Sequence, residues 1–210
     1  MPRSRYDNID PAKKAQLLEA AVEEFGRYGY ELASINRILE AAQFSKGSFY
    51  YYFDDKADLA ATTLLAVAEP ELAAQQLALP DSAEGFWSEL RRAGLAKLQQ
   101  MQARRAEYEC LTRLSSALAA DPALAAKVLP AFEPSRRALA HFLERGVALG
   151  ALRSDVPLGL LLALIENAKL TAYQSMFPDG RVPSMAELES FSDLVLDLSR
   201  RLAAPAPPKG

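Results

Sequence analysis

Residues 34–56 read SINRILEAAQFSKGSFYYYFDDK, two short helical patterns separated by a break and followed by a cluster of tyrosines. Ile35, Ile38 and Leu39 fall at i, i+3 and i+4, so one apolar stripe faces inward and leaves Asn36, Arg37 and Glu40 outside. Ser34 precedes the stripe, where its hydroxyl is expected to accept a hydrogen bond from a first-turn amide. Gln43, Phe44 and Ser45 interrupt the pattern, and Ser45 is placed to cap a second helix that starts at Lys46. Two caps this close leave room for helix, turn and helix. In such a motif the second helix enters the major groove and its first residues reach base edges, while the first helix lies across the backbone.

The residue types suit that geometry. Lys46 is a long cationic donor at the leading end of the second helix, within reach of a guanine edge or a phosphate. Gly47 lets backbone approach sugar and phosphate closely, and Ser48 adds a small donor and acceptor. Successive helical residues are about 100° apart, so Tyr50, Tyr51 and Tyr52 cannot all point inward, and an outward phenol suits a phosphate. Phe49 and Phe53, four apart, are expected to pack in the core. Asp55 is placed to cap a third helix beginning at Lys56, which brings an ammonium and free amides together where a phosphate could dock.

With the preceding helix the stretch runs AAVEEFGRYGYELASINRILEAAQFSKGSFYYYFDDKADL, residues 20–59, and it resembles the DNA-binding domain of the TetR family. The resemblance implies that Ser45, Lys46, Gly47, Ser48, Tyr50, Tyr51 and Lys56 occupy DNA-contacting positions; Ser34, Arg37 and Tyr52 complete the candidate set. Two residues depart from the family pattern. Gln43 stands where glycine is usual, and at positive φ it would cost about 1 kcal/mol. Tyr52 stands where histidine is common.

Charge does not announce a nucleic-acid partner. The chain has 24 Lys and Arg against 27 Asp and Glu, a formal net charge of −3, and residues 1–56 hold eight basic and nine acidic residues. Any positive footprint is therefore local. The expected arrangement turns Glu19, Glu23 and Glu24 away from DNA and gathers Arg3, Arg5, Arg37, Lys46 and Lys56 on one face.

The remaining pattern is helical throughout, and the expected fold is all-α: a three-helix amino-terminal helix-turn-helix domain followed by a larger helical ligand-binding and dimerisation domain. The expected boundaries are a flexible arm over 1–9, the DNA-binding domain over 10–56 with its motif at about 34–53, the second domain over 57–202, and a disordered tail over 203–210. A helix from Lys56 should kink or end at Pro70, and one over Pro122–Gly150 should be interrupted at Pro130 and Pro134. Further helices are expected near Ala106–Leu118, Pro157–Met176 and Ser184–Leu202.

The last two helices carry a seam suited to a partner. Leu188, Phe191, Val195, Leu198 and Leu202 continue a four-three spacing from Ser184, and the preceding helix contributes Leu161 and Ile165. A two-fold homodimer through these residues would bring two reading helices to half-sites about 34 to 36 Å apart on a palindromic operator. By resemblance, a small and largely apolar effector would bind among the central helices and release the repressor from double-stranded DNA. Candidates are Trp87, Met101, Tyr108, Cys110, Leu114, Phe132, His141, Phe142, Glu166, Asn167 and Tyr173, which mix apolar bulk with donors and acceptors. Glu166 and Asn167 stand out, since polar groups buried in a leucine-rich helix need partners. The signal is expected to pass through the helix from Lys56 to Pro70.

Other classes have less support. A catalytic pair could come only from the single cysteine, Cys110, and the single histidine, His141, with no orienting third group signalled. A structural zinc site would want four Cys or His ligands, so no metal or cofactor is expected. A protein-interaction adaptor using the helix-turn-helix as scaffold is the alternative to a regulator. The leucine-rich stretch is broken by Glu166, Asn167 and Lys169, and the amino terminus lacks an apolar signal core, so no membrane association and a cytoplasmic location are expected.

Overall fold

The computed structural model describes residue 6 and residues 8–74, 77–176 and 183–205, leaving out the side chains at 71–74, 166, 169–170 and 173–176. The expectations for Arg3 and Arg5, for the side chains of Glu166 and Tyr173, and for the tail beyond 205 lie outside the described residues. Among those residues the secondary structure is entirely helical: α1 Pro11–Leu32, α2 Ile35–Ala41, α3 Lys46–Tyr52, α4 Lys56–Ala74, α5 Ala83–Ala103, α6 Arg105–Ala117, α7 Pro122–Ala148, α8 Leu158–Met176 and α9 Met185–Ala203. No helix among them is long and apolar enough to cross a membrane.

Local chemistry sets the ends. Asp10 caps α1 by accepting from the amides of Ala12 at 3.0 Å and Lys13 at 3.1 Å, and Pro11 at the first position has no amide to strand. Ser184 and Glu187 form a reciprocal capping box on α9. The prolines act less strongly than expected. α4 runs on past Pro70 to Ala74, and α7 is a single helix through Pro130 and Pro134. A proline forfeits one backbone bond and crowds the preceding turn, and long flanking helices absorb that cost.

The chain forms two compact units, one holding residues 1–74 and 104–134 and the other 75–103 and 135–210. The span 10–56 expected for DNA binding is thus part of a larger unit that takes in α4, α6 and the start of α7. Leu17, Ala21 and Phe25 of α1, Ile38 and Leu39 of α2, Phe49 and Phe53 at α3, Leu59 and Leu64 of α4, Cys110 and Leu114 of α6, and Leu124 and Val128 of α7 share its core. Gly26 lets α6 come close: a Cβ there would lie 3.5 Å from the Cys110 amide nitrogen and 3.6 Å from the Ala106 carbonyl. Each large apolar side chain taken from water contributes about 1.5–3 kcal/mol. Tyr6 and Ile9, expected in a flexible arm, are buried in the same core, with the Tyr6 ring edge-on to Phe53 at 5.2 Å.

A buried ion pair fastens α4 to α7 within this unit. Asp58 is fully buried and accepts from Lys127 Nζ; its other oxygen takes the Asp54 amide at 3.0 Å, and Asp55 caps the Asp58 amide at 2.7 Å. Burial opposes the Asp58 charge, but the Lys127 hydrogen bond and the Asp54 amide outweigh it and hold the carboxyl below its usual range. Hydrogen bonding to Asp58 raises Lys127 in turn. Tyr30 likewise hydrogen-bonds Asp121, which caps the start of α7 through the amides of Ala123 and Leu124.

The second unit packs α5, α8, α9 and the later half of α7. Phe86 stacks on Phe142 at 4.7 Å and meets Trp87 edge-on at 5.2 Å, with Leu143, Leu152 and Leu161 completing the cluster. Leu98, Leu188 and Phe191 form a smaller one. Leu161, Leu188 and Phe191 are therefore buried within their own unit, which corrects their assignment to a partner interface; Ile165 and Val195 are partly buried against these clusters. The exposed members of the expected seam are Leu198 and Leu202. Ala203, expected in the tail, ends α9 as a buried residue and accepts from the Arg153 amide at 2.7 Å.

Asp58→Asn is expected to destabilise the protein by about 3 kcal/mol near neutral pH, the scale of breaking a buried ion pair from one side. Because the folded pKa of Asp58 is depressed, its contribution is present above the ordinary carboxylate value of about 3.9 and disappears as pH falls through the folded value. Urea denaturation across an acid pH series should show a steep loss of stability in the wild type and a shallower one in Asp58→Asn.

Candidate nucleic-acid interface

The turn before α3 is built by the carbonyl end of α2. The Phe44 amide bonds to the Leu39 carbonyl at 2.8 Å and the Gln43 amide to Glu40 at 3.1 Å, the paired pattern of a Schellman stop with Gln43 in its left-handed position. Gln43 has a φ of 50°, so the turn keeps the shape that favours glycine although a side chain is present.

Ser45 then caps α3 as expected, accepting from the Ser48 amide at 3.0 Å, with its hydroxyl 2.7 Å from that of Ser48. Phe49 and Phe53 are fully buried and stacked at 5.3 Å, so α3 is pinned by one face. The opposite face is open. Ser45, Lys46 and Gly47 are exposed, Tyr50 and Tyr51 are 47% and 48% exposed, and Ser48 is half-buried. Tyr52 is also half-buried, packed against Phe44 at 6.1 Å and edge-on to Tyr51 at 5.0 Å.

Three other members of the candidate set are engaged by other groups of the protein, although Arg37 itself is exposed. The Lys56 ammonium donates to the carbonyls of Glu31 at 3.0 Å and Ala33 at 3.4 Å and lies 4.9 Å from the Tyr30 ring centre, closing the carbonyl end of α1. Arg37 grips Glu24 with Nε at 2.9 Å and also donates to the Leu32 carbonyl at 3.0 Å, its guanidinium 4.5 Å from the Tyr28 ring centre. Ser34 occupies the N-cap position of α2, but its side chain makes no capping bond. Its amide donates instead to Glu24 Oε1 at 2.8 Å.

Glu24, expected only to face away from DNA, is 8% exposed. Burial disfavours its charge, and the Arg37 fork and Ser34 amide more than compensate, holding the carboxyl below its usual range. The sequence carried a signal for this: Leu17, Ala21, Glu24 and Phe25 are spaced as one apolar stripe, so a carboxylate at 24 requires a buried partner.

The effector candidates divide between the two units. Tyr108, Cys110 and Leu114 are buried in the first unit's core, and Phe132 is packed against it. Burial pushes the Cys110 thiol up to about 12. His141 is exposed and belongs to the second unit, so neither residue has the setting of a catalytic pair. Trp87 and Phe142 are buried in the second unit and Met101 is half-buried there. Asn167 is exposed and donates to the Ala163 carbonyl at 2.7 Å, so the condition of burial that would have made it stand out is not met. A shallow cleft of about 420 Å³ in this unit is lined by other residues, Val147, Arg153–Val156, Pro157 and Leu158. Among the described residues, no group of three or more His, Cys, Asp and Glu could hold a metal ion.

A helix-turn-helix with a pinned second helix and an exposed leading end, followed by helical bundles, defines a DNA-binding regulator of the all-helical class. The family described as "Bacterial regulatory proteins, tetR family" matches residues 17–68. The HTH-type transcriptional repressor AcnR of Corynebacterium glutamicum is 30% identical over 185 residues, covering 88% of this chain and 89% of that protein. A TetR family regulator from Chloroflexus aurantiacus shares the fold at a TM-score of 0.68 and 22% identity, covering 98% of this chain and all of that one. The Bacillus subtilis regulator FadR, solved in complex with stearoyl-CoA, does so at 0.62 and 16% identity, covering 88% and 96%. The chain belongs to the TetR family of transcriptional regulators, a class of DNA-binding proteins and not of enzymes.

Gln43→Gly removes the side chain from a left-handed position and is expected to stabilise the protein by about 0.5–1 kcal/mol. Gln43→Val should destabilise it. Thermal midpoints of the two variants, compared with wild type, check the turn.

Proposed function

We propose that the protein is an effector-released repressor that binds a palindromic duplex operator as a homodimer. The observation that carries this reading is the leading end of α3, where Ser45, Lys46 and Gly47 stand in solvent while Phe49 and Phe53 hold the opposite face in the core. Lys46 is the base-edge or phosphate donor, Tyr50 and Tyr51 offer phenols to the backbone, and Ser45 and Ser48 supply short polar contacts.

The dimer is supported by apolar residues that the second unit leaves in water. Leu160 and Leu164 of α8 are 53% and 48% exposed, and Leu194, Leu198 and Leu202 of α9 are 42%, 37% and 41% exposed. Each set recurs every four residues, giving one stripe per helix. Stripes of this kind are the raw material of a self-complementary helical interface. They shift the seam from Leu161, Leu188 and Phe191 to their outward neighbours.

The effector is a small, largely apolar molecule bound within the helical second unit, near the aromatic cluster of Trp87 and Phe142. That a regulator of the same fold holds an acyl-CoA supports the class, and no more than the class, of such a ligand. Binding must favour one arrangement of the two reading helices over another, since an effector with equal affinity for both would shift nothing.

Selection of bound duplexes from a random pool should return a two-fold symmetric site with half-site centres about 34 to 36 Å apart. Lys46→Ala should weaken binding about ten-fold or more, the scale of one charge-assisted base contact per half-site. Recovery of no preferred duplex, or unchanged binding by Lys46→Ala together with Tyr51→Ala, overturns the reading. For the dimer, Leu164→Glu with Leu198→Glu should yield a folded monomer in sedimentation velocity; a persistent dimer would place the interface elsewhere.

A further inference from the structure

Arg37 stands on the outer side of α2 and would ordinarily be assigned a phosphate. Its surroundings assign it differently. The guanidinium is held on three sides: Glu24 takes Nε at 2.9 Å and Nη2 at 2.5 Å, the Leu32 carbonyl takes Nη2 at 3.0 Å, and the Tyr28 ring lies beneath at 4.5 Å. Glu24 comes from a buried position on α1, and the same Oε1 accepts the Ser34 amide at 2.8 Å. One carboxylate therefore takes the amide at the start of α2 and holds the arginine one turn further on. The Ser34 hydroxyl caps no first-turn amide, and the Ser34 amide itself is satisfied from ten residues upstream.

We propose that Glu24 and Arg37 are positioning residues for the reading head, fixing α2 against α1 so that the Schellman turn presents α3 at one angle, and that Arg37 makes no phosphate contact of its own. The inference rests on the DNA-binding reading above. The chemistry favours it. Releasing Arg37 to a phosphate would strand a nearly buried carboxylate and unfasten the Leu32 carbonyl, so the exchange sacrifices a bidentate pair for a contact in high dielectric. The pair also spans the kink in α1 at Gly29, where φ is 71° and ψ is 176°, outside the helical range. A short helix following such a kink has little orientation of its own, because α2 has seven residues and isolated helices of that length are unstable.

Three alternatives separate by sign and by salt dependence. Duplex affinity is measured across salt concentrations, using the operator selected by the wild type, for Glu24→Gln, Arg37→Met and Arg37→Lys, with Lys46→Ala as reference. Circular dichroism confirms that each variant is helical. If the pair positions α2, Glu24→Gln and Arg37→Met both weaken binding by about ten-fold. Neither then changes the slope of log affinity against log salt, and Arg37→Lys recovers part of the loss. If Arg37 is a phosphate contact, Arg37→Met reduces the slope by about one per half-site, which overturns the proposal. If Glu24 merely restrains an arginine that would otherwise bind DNA, Glu24→Gln strengthens binding, which overturns it equally. Unchanged affinity in both variants also defeats it. Failure of the wild type to select any duplex is a separate result and bears on the DNA-binding reading instead.

Discussion

The burial of Phe49 and Phe53 is the constraint on which the interface depends. A seven-residue helix cannot persist alone in water, because its nucleation cost is not recovered over so few hydrogen bonds. α3 exists because these two rings, one turn apart, stack and sink into the core formed by α1, α2, α4 and α6. Pinning that face settles the other. With Phe49 and Phe53 inward, the helical rotation sends Lys46, Tyr50 and Tyr51 outward, and their exposure follows from packing rather than from any property of their own.

Charge plays a smaller part than a count of cations implies. Arg37 is paired with Glu24, and Lys56 is spent on the carbonyl end of α1, so Lys46 is the exposed cation on α3 itself. Phenols and short hydroxyls fill the remaining outward positions. Under the proposed function, such a surface would release few counterions on binding, and its specificity would rest on where α3 is held more than on how strongly the protein attracts a polyanion. The orientation of α3 is then what matters, and the hydrogen-bonded stops around α2 hold it.

The sequence made the reading head legible because its signals are local. Caps, the turn and the four-residue aromatic spacing involve neighbours along the chain, and Ser45, Gln43, Phe49 and Phe53 behave as that spacing predicts. Where a residue's partner lies far away in sequence, the local reading misled. Ser34 has the right type and place for a cap, yet its hydroxyl makes no capping bond, and a carboxylate from α1 takes its amide instead. Glu24 was read only for its sign, as an acid to be kept away from DNA, although its position on an apolar stripe pointed inward. Asn167 met its need through the carbonyl four residues back. The leucines of α8 and α9 show the same limit: a four-three spacing marks an apolar strip but not which edge of it the protein's own bundle consumes. Leu161, Leu188 and Phe191 are consumed, and Leu164, Leu198 and Leu202 remain.

α7 raises the question of how a regulator of this construction passes a signal. It begins in the reading unit, where Asp121 meets Tyr30 and Lys127 meets the buried Asp58, and it continues as helix into the second unit. Pro130 and Pro134 fall on the stretch between. Having no amides, they leave the carbonyls of Ala126 and Pro130 without their usual helical donors, so bending resistance is lowest there. Under the proposed function, α4 is not the sole covalent route between an effector and α3. Within the first unit, the ion pair at Asp58 ties the start of α7 to the foot of α4, the helix that directly follows the reading head.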